Sequence, residues 1–321
     1  MSEANDSNRV ISGDHPISQS LKSGRADGKP IRHIFDEKHV DALNFAIACG
    51  RPLLLTGETG VGKTQLARAA AARLERAFVR YTVDARTEPR DVLYRFDAVK
   101  RLADAQIAQS LGKTREELEE ELAPEKYLRA GPLWWGFQPT TAPGVEPEQS
   151  DGGAFENGVV VLIDEIDKAE GDVPNALLEA LGEGSFLPEH RTERVCVGET
   201  PPLIVFTSNA EKTFPPAFLR RCLVLEMRLP DNHGPRLKDF LVERGKAHVD
   251  LPPSALNTAA ELLIEDRIAS AGRQRPGLAE YIDLLRIIEQ RASGLDEEAL
   301  RAFIDRVRPH LTQKANAFKP G

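Results

Sequence analysis

The stretch GETGVGKT, from Gly57 to Thr64, limits the possible folds of this chain more than any other feature. It fits the pattern G-x-x-x-x-G-K-S/T, follows the apolar segment RPLLLTG and precedes the helix-favouring segment TQLARAAAARLERA. Glycines let such a loop fold around phosphate groups, and the N-terminus of the following helix adds positive potential. The sequence therefore predicts a strand, a phosphate-binding loop and a helix in that order.

Every residue of this loop is a candidate for binding a nucleotide. We expect Lys63 to reach the terminal phosphates and the Thr64 hydroxyl to ligate Mg²⁺. The other candidates are the rest of the loop, namely Gly57, Glu58, Thr59, Gly60, Val61 and Gly62. A second Gly-Lys-Thr, within LGKT at 111–114, has Ile107 in place of the first glycine and no preceding strand, so we reject it.

Two further apolar segments, VVVLIDEIDKA and LIVFTSNAEK, end in polar residues. Continuous apolar strands between helices favour a parallel sheet covered on both faces, and ligands bind at the carboxyl ends of such strands. We expect Asp164 to hold the Mg²⁺ shell, Glu165 to orient and polarise the attacking water, and Asn209 to contact the γ-phosphate and that water. The simpler alternatives are helix-capping acids and a turn-forming Asn. Asp167 is expected to be a cap or a surface residue.

The pattern along the chain divides it into three parts. Residues 1–30 are polar and lack clear periodicity, which predicts a disordered N-terminal arm. Residues 31–230 carry the motifs and include an irregular insertion at about 92–157, within which LYRFDAVKRLADAQIAQSL is predicted to be helical. Residues 231–321 are predicted to form a separate helical domain, with helices at 235–247, 253–267, 276–292 and 295–308.

Composition and charge argue against several classes of protein. Apolar residues make up 41% of the 321 residues, which is typical of a globular protein. The net charge of −8 argues weakly against a protein whose main function is to bind nucleic acid. The apolar runs are too short to cross a bilayer, and MSEANDSNRV does not resemble a secretory signal. We therefore expect a cytoplasmic protein without a membrane segment. The three cysteines, Cys49, Cys196 and Cys222, have no metal-binding spacing and are expected to be reduced.

The order of these motifs resembles that of the AAA+ ATPases. A phosphate loop, an Asp-Glu strand end, a strand ending in Asn and a Pro-flanked Leu-Arg-Arg in FPPAFLRRCL precede a helical domain. Within that family, the chain is most similar to the MoxR-like branch, through GPLWW at 131–135, LIDEIDKAEGDVPNALLEALGEGSF and RQRPGLAEYIDLL at 273–285.

This resemblance implies an α/β fold, with a P-loop NTPase three-layer αβα domain that has a parallel five-stranded sheet, followed by a small α-helical lid domain. It implies ATP and Mg²⁺ as ligands and a homo-oligomeric, hexameric ring. Arg221 occupies the position of the arginine finger that reaches the neighbouring subunit's site, with Arg220 as second choice. Arg275 is the first candidate for the sensor of the lid, and Arg273 is the reserve.

By the same resemblance, the chain is a chaperone or remodeller of a client protein, such as a von Willebrand factor A-domain protein. The alternative is a nucleic-acid-linked ATPase, such as a loader or a motor subunit of a defence or restriction-type system, suggested by the basic stretch from Arg86 to Arg101. A nucleotide-gated scaffold with negligible turnover is a third reading. Trp134 and Trp135 are either packing residues or a client-gripping element.

Overall fold

The computed structural model describes residues 10–13, 17–22, 28, 30–111, 114–149, 151–169, 173–209, 212–230, 235–270 and 275–312. The strands in these residues are β1 (Ile17–Leu21), β2 (Ile31–Phe35), β3 (Leu53–Thr56), β4 (Arg76–Thr82), β5 (Tyr94–Phe96), β6 (Leu128–Ala130), β7 (Ala154–Asp164), β8 (Ser185–Phe186), β9 (Val195–Cys196), β10 (Leu203–Ser208) and β11 (Leu223–Glu226).

The helices in the same residues are α1 (Glu37–Cys49), α2 (Lys63–Arg73), α3 (Ala98–Ser110), α4 (Arg115–Glu121), α5 (Pro132–Phe137), α6 (Val173–Glu183), α7 (Pro216–Arg221), α8 (Pro235–Lys246), α9 (Pro253–Ala269), α10 (Leu278–Arg291) and α11 (Glu297–Leu311). Short 3-10 turns occur at Pro89–Val92, Pro124–Tyr127, Pro139–Thr141 and Ile166–Lys168.

The predicted parallel sheet is present. Within the described residues it has five strands in the order β11-β3-β10-β7-β4. The strand β7 lies parallel to both β10 and β4, with Ile163 opposite Phe206 and Asp164 opposite Thr82. At the other side, β11 runs along β3, and the amide of Leu223 donates to the carbonyl of Pro52 at 2.8 Å. The fold class expected from the sequence is therefore confirmed.

By its contacts the chain forms two compact units. The first consists of Met1–Gly13, Glu37–Leu55 and Ala67–Leu225. Its core is apolar and centres on the sheet, with buried residues that include Leu54, Val79, Trp134, Val161, Phe206 and Phe218. Trp134 and Trp135 are 0% and 7% exposed, so the packing interpretation of this pair is confirmed.

The second unit consists of Asp14–Asp36, Thr56–Leu66 and Glu226–Gly321. Its helices α8 to α11 pack around a separate core that includes Leu241, Ala259, Tyr281, Ile288 and Ile304. The phosphate-loop segment therefore groups with the C-terminal helices. The sequence places the phosphate loop in the domain that ends near residue 230, and it does not predict this grouping. The grouping depends on contacts in space and not on order along the chain.

The expected disordered arm at 1–30 is wrong for Ile17–Leu21. This segment forms β1, which pairs antiparallel with β2, and its first and last residues are buried. The apolar residues of ISQSL stand at its two ends and are separated by polar ones, so five residues give too weak an alternation to predict a strand. Arg244 of α8 donates to the Ile34 carbonyl and the Asp36 carboxylate, which ties the hairpin to the helices.

The single helix expected from residue 93 to residue 111 is also wrong at its start. Tyr94–Phe96 forms β5, which pairs antiparallel with β6, and α3 begins only at Ala98. Asp97 separates the two, because its carboxylate accepts a hydrogen bond from the amide of Lys100 and caps the helix. The short acidic helix expected after Thr114 is confirmed as α4, including the capping box with Glu117.

Among the described residues, no helix combines the length and the apolar character needed to cross a membrane.

Candidate functional site

The loop from Gly57 to Gly62 leaves β3 and ends where α2 begins. Gly57, Gly60 and Gly62 have φ angles of 138°, 81° and 98°, which lie in the region that favours glycine. A side chain at Gly57 would also collide with the carbonyl of Met227. Two of the motif's fixed positions, Gly57 and Gly62, therefore require glycine for the backbone path that the structure shows.

Lys63 is the first residue of α2 and is held inside this loop. Its ammonium group donates hydrogen bonds to the carbonyls of Gly57 at 2.7 Å and Glu58 at 2.9 Å, and the residue is only 8% exposed. Thr64, the next residue, is half-buried. A buried ammonium and a hydroxyl thus stand together at a helix N-terminus, which is an arrangement suited to a phosphate chain.

Residues of the C-terminal helices contact the same loop. Arg267 of α9 donates to the Glu58 carboxylate at 2.6 Å, and the amide of Ala279 in α10 donates to the Gly60 carbonyl at 3.2 Å. Both contacts lie within the second unit. The loop is therefore positioned by helices that follow it by roughly two hundred residues, as the separation of 209 between Arg267 and Glu58 shows.

Asp164 ends β7 and is buried, at 4% exposure. Its Oδ1 accepts a hydrogen bond from the Thr207 hydroxyl at 2.5 Å, and its Oδ2 accepts one from the Arg80 guanidinium at 2.7 Å. Charged and neutral donors therefore compensate the burial of this carboxylate. They also fix its orientation at the carboxyl end of the sheet.

Glu165 follows directly and has a left-handed backbone conformation, with φ 59° and ψ 45°. Such a conformation costs a residue with a side chain about 1–2 kcal/mol. The Glu165 amide donates to the Thr207 hydroxyl at 2.8 Å, so a single threonine holds both acids. Strain of this kind is concentrated at functional sites, where the surrounding structure maintains it. Here it turns the half-buried Glu165 out of the line of β7.

Asn209 follows β10, the neighbour of β7 in the sheet, and is half-buried. Its backbone N–H donates to the Asp167 carboxylate at 3.1 Å. Asp167 is 3% exposed, so the expectation of a surface residue is wrong. It is buried because its carboxylate connects the turn after β7 with the end of β10. The structure thus brings Asp164, Glu165 and Asn209 to adjacent strand ends.

Arg220 and Arg221 are the last residues of α7, and both are exposed. The guanidinium of Arg51, just before β3, donates to the carbonyls of Arg220, Arg221 and Cys222, the latter two at 3.2 and 3.4 Å. The last carbonyls of a helix lack hydrogen-bond donors within the helix, and the Arg51 guanidinium is the donor here. The backbone of the arginine pair is thereby held in place while its side chains stay on the surface.

Arg275 is half-buried and directly precedes Pro276, whose carbonyl accepts a hydrogen bond from Arg267 at 2.9 Å. It lies in the second unit with the phosphate loop. Arg273, the reserve candidate, lies outside the described residues.

The basic stretch from Arg86 to Arg101 is largely engaged by neighbouring groups. Arg95 binds the Asp91 carboxylate at 2.9 Å and the Tyr81 hydroxyl at 3.0 Å. Arg90 forms ion pairs with Glu88 and Glu189, and Arg101 donates to a backbone carbonyl. These contacts favour an internally paired surface over a nucleic-acid interface.

A protein-family profile described as AAA domain (dynein-related subfamily) matches residues 52–222, which is more than half of the 321 residues. The chain belongs to this family. The profile spans the loop, the acidic strand end, Asn209 and the arginine pair. Similarity to the MoxR-like branch in particular stays a prediction.

This AAA chain also resembles individual proteins, among them a Lon protease homolog and a RuvB. It is 27% identical over 292 residues to the mitochondrial Lon protease homolog of Yarrowia lipolytica, and the match covers 84% of this chain. The chain spans about a fifth of the length of that relative, because the match covers 21% of it. Among solved structures, a mutant RuvB of Thermotoga maritima superposes with a TM-score of 0.47 at 16% identity, covering 90% of this chain and 74% of that one.

Three residues that position the site of this AAA domain are not predicted from the sequence. Thr207 stands inside FTSNA, one residue before the Ser-Asn pair, and its small polar side chain at a strand end is the only signal. Arg80 lies on the alternating strand β4, where a solvent-facing position is the ordinary interpretation. Arg267 lies in a helix, far from the loop in sequence. Among the residues that the structure describes, no group of three or more His, Cys, Asp or Glu side chains is arranged to hold a metal ion.

Proposed function

We propose that the chain binds ATP through the loop from Gly57 to Thr64 and hydrolyses it to ADP and phosphate. The observation that carries this proposal is the buried ammonium of Lys63, held by loop carbonyls at a helix N-terminus. That group, the glycine backbone and the N-terminus of α2 together offer positive potential and donors to a triphosphate. Membership of the AAA family supports the same conclusion.

Hydrolysis requires a water molecule directed at the γ-phosphate, and Glu165 is the proposed group that orients and polarises it. Glu165 directly follows Asp164 at the carboxyl end of β7, and its backbone is held in a strained form by the hydroxyl of Thr207. Asn209, after the neighbouring strand, is proposed to donate a hydrogen bond to the γ-phosphate and to the same water. Proteins catalyse phosphoryl transfer mainly by positioning the reacting groups and stabilising charge, and they contribute little covalent chemistry.

Mg²⁺ fits the groups present. It prefers oxygen ligands and usually binds through one or two carboxylates, waters and the phosphates of a substrate. The Asp164 carboxylate and the Thr64 hydroxyl are the proposed ligands, directly or through water. When bound, the ion supplies neutralisation of the charge that develops on the phosphates. The Arg80 guanidinium, which binds Oδ2 of Asp164, would compete for that oxygen with the hydration shell of the ion.

The arginine pair at the end of α7 is proposed to complete the site of a neighbouring copy in a homo-oligomeric, hexameric ring. Arg221 is the first candidate and Arg220 the second. A guanidinium that stabilises the transferring phosphoryl group contributes about 10³–10⁵ in rate in related enzymes. Exposure of both side chains and anchoring of their backbone by Arg51 support this role. Arg275 is the proposed lid sensor of the bound nucleotide.

The wider role that we propose is that of a MoxR-like remodeller, in which hydrolysis reshapes a client protein, such as one with a von Willebrand factor A domain. The nucleic-acid-linked alternative has less support, because two of the basic residues that suggested it are engaged by acids: Arg90 pairs with Glu88 and Glu189, and Arg95 pairs with Asp91.

The experiment that tests this proposal compares the purified chain with Lys63→Ala. The unchanged chain should bind ATP and release phosphate in the presence of Mg²⁺, and the variant should lose both. Lys126→Ala is the matched control, because this exposed lysine lies outside the loop and should change neither. Absence of ATP binding by the unchanged chain would refute the proposal.

A further inference from the structure

Arg267 of α9 is a buried cation that bridges two segments. Its side chain is 2% exposed. One terminal nitrogen, Nη1, donates to the carbonyl of Pro276 at 2.9 Å, and the other, Nη2, donates to Oε2 of Glu58 at 2.6 Å. The two acceptors belong to the segment that carries Arg275 and to the phosphate loop.

The planar guanidinium makes this bridge specific. Its two terminal nitrogens have a fixed relative position. When one binds a carbonyl and the other a carboxylate, the distance between the two acceptors is therefore fixed as well. A lysine has a single charged nitrogen on a flexible stem and cannot reproduce that spacing. Burial strengthens the effect, because a buried charge is stable only when it is paired.

Glu58 has a charge that is unfavourable for its position. It lies in a loop proposed to receive a polyanion, and its side chain is still 48% exposed. A free carboxylate there would repel phosphate groups over short distances. The contact with Arg267 compensates its charge and holds it toward α9.

A hydrogen bond and a close backbone approach join the same segments. The Ala279 amide donates to the Gly60 carbonyl, and a side chain at Gly277 would come within 3.4 Å of the Thr59 carbonyl. Residues 275–279 and the loop are therefore held together at several points.

We propose that Arg267 is a positioning residue for nucleotide binding, which holds the Glu58 carboxylate away from the phosphates and couples the loop to the segment that carries Arg275. This inference rests on the proposed ATP binding. It assigns no direct contact with the nucleotide to Arg267, so the effect of its removal should depend on Glu58.

The test measures the Kd for fluorescently labelled ATP in four proteins: the unchanged chain, Arg267→Met, Glu58→Gln and the double variant. Arg267→Met should weaken binding at least about tenfold, equivalent to roughly 1.4 kcal/mol. Glu58→Gln changes a residue of the proposed binding loop, so its Kd is the reference with which the double variant is compared. The double variant should recover most of the lost affinity, because the uncompensated carboxylate is gone. The Kd of Arg267→Lys should lie between those of the unchanged chain and Arg267→Met, since lysine keeps the positive charge but lacks the two terminal nitrogens of the guanidinium.

Arg308→Met is the matched control. Arg308 of α11 forms an ion pair at 2.6 Å with the buried Asp266, which lies on α9 next to Arg267. Neither residue has a hydrogen bond to the phosphate loop among the contacts described above. This variant should lower the melting temperature and leave the Kd unchanged. If Arg267→Met unfolds, Arg267→Lys and its combination with Glu58→Gln give the same comparison.

Three results would overturn the inference: unchanged affinity in Arg267→Met, no recovery in the double variant, or an equal loss in Arg308→Met. Failure of the unchanged chain to bind labelled ATP would instead refute the proposed function itself.

Discussion

The guanidinium of Arg80 donates to Oδ2 of Asp164 at 2.7 Å, across the pairing of β4 with β7. The other carboxylate oxygen accepts from Thr207. Both oxygens of the proposed metal ligand therefore have protein donors. Arg80 is half-exposed, at 51%, whereas Asp164 is buried, so the arginine is the partner that can leave.

Replacing Arg80 with Met should reduce the Mg²⁺ concentration needed for half-maximal ATPase activity. The guanidinium competes for an oxygen that the metal's hydration shell would use, and a partly exposed pair is worth roughly 0.2–1 kcal/mol. The expected reduction is therefore about fivefold at most. Titration of Mg²⁺ at fixed ATP measures it. Arg95→Met, which removes an exposed arginine paired with Asp91, is the control. A higher Mg²⁺ requirement would show that Arg80 supports the site and does not compete.

Replacing Thr207 with Val should destabilise the protein and slow hydrolysis. The hydroxyl donates to Asp164 and accepts from the Glu165 amide, and it is 1% exposed. Leaving buried polar groups without a partner costs about 1–3 kcal/mol. Urea denaturation gives the stability change, and steady-state kinetics should show a fall mainly in kcat. The exposed Thr192→Val should stay within about 0.5 kcal/mol. Unchanged stability and kcat would remove Thr207 from this role.

The three cysteines should react very differently with a thiol reagent. Cys49 and Cys196 are exposed, whereas Cys222 is buried, and burial raises the pKa of its thiol to about 12. The thiolate is the reactive form, so Cys222 stays protonated at any pH well below that value. At pH 8, two thiols per folded chain should be modified rapidly, and the third only after denaturation. Rapid modification of all three would contradict the burial of Cys222.

Much of the candidate site could be predicted because its signals are local. Lys63 and Thr64 stand in a continuous motif, and the acids at 164 and 165 follow an apolar run directly. The contacts of Arg80, Thr207 and Arg267 depend on strand register and on the packing of distant helices. The separation of Arg80 from Asp164 is 84 residues, and no periodicity in a single segment reports such a pairing. The burial of Asp167 was missed for the same reason, since its partner follows the next strand of the sheet.

The boundaries of the elements show the same limit. α8, α10 and α11 begin and end close to the predicted helices, because apolar spacing marks them clearly. β1 and β5 have five and three residues, and a strand of that length is recognised mainly by its partner.

Mixing two inactive variants should restore part of the ATPase activity. A protein with Arg220 and Arg221 both replaced by Ala keeps its phosphate loop, and Lys63→Ala keeps the arginine pair. If the guanidinium acts on a neighbouring copy, a junction between the two can be complete. Phosphate release by the mixture, compared with each variant alone, measures it. Full-rate turnover by a dilute monomer, or an inactive mixture of variants shown to co-assemble, would contradict the ring.

Single-turnover hydrolysis by Glu165→Gln tests most directly whether this carboxylate polarises the attacking water. This variant should bind Mg²⁺ and ATP as tightly as the unchanged protein and should hydrolyse the bound ATP at least about 100-fold more slowly, because the group that polarises the water is gone. Glu193→Gln, at an exposed position outside the site, should hydrolyse at the normal rate. Phosphate release from Glu165→Gln at the normal rate would contradict the account.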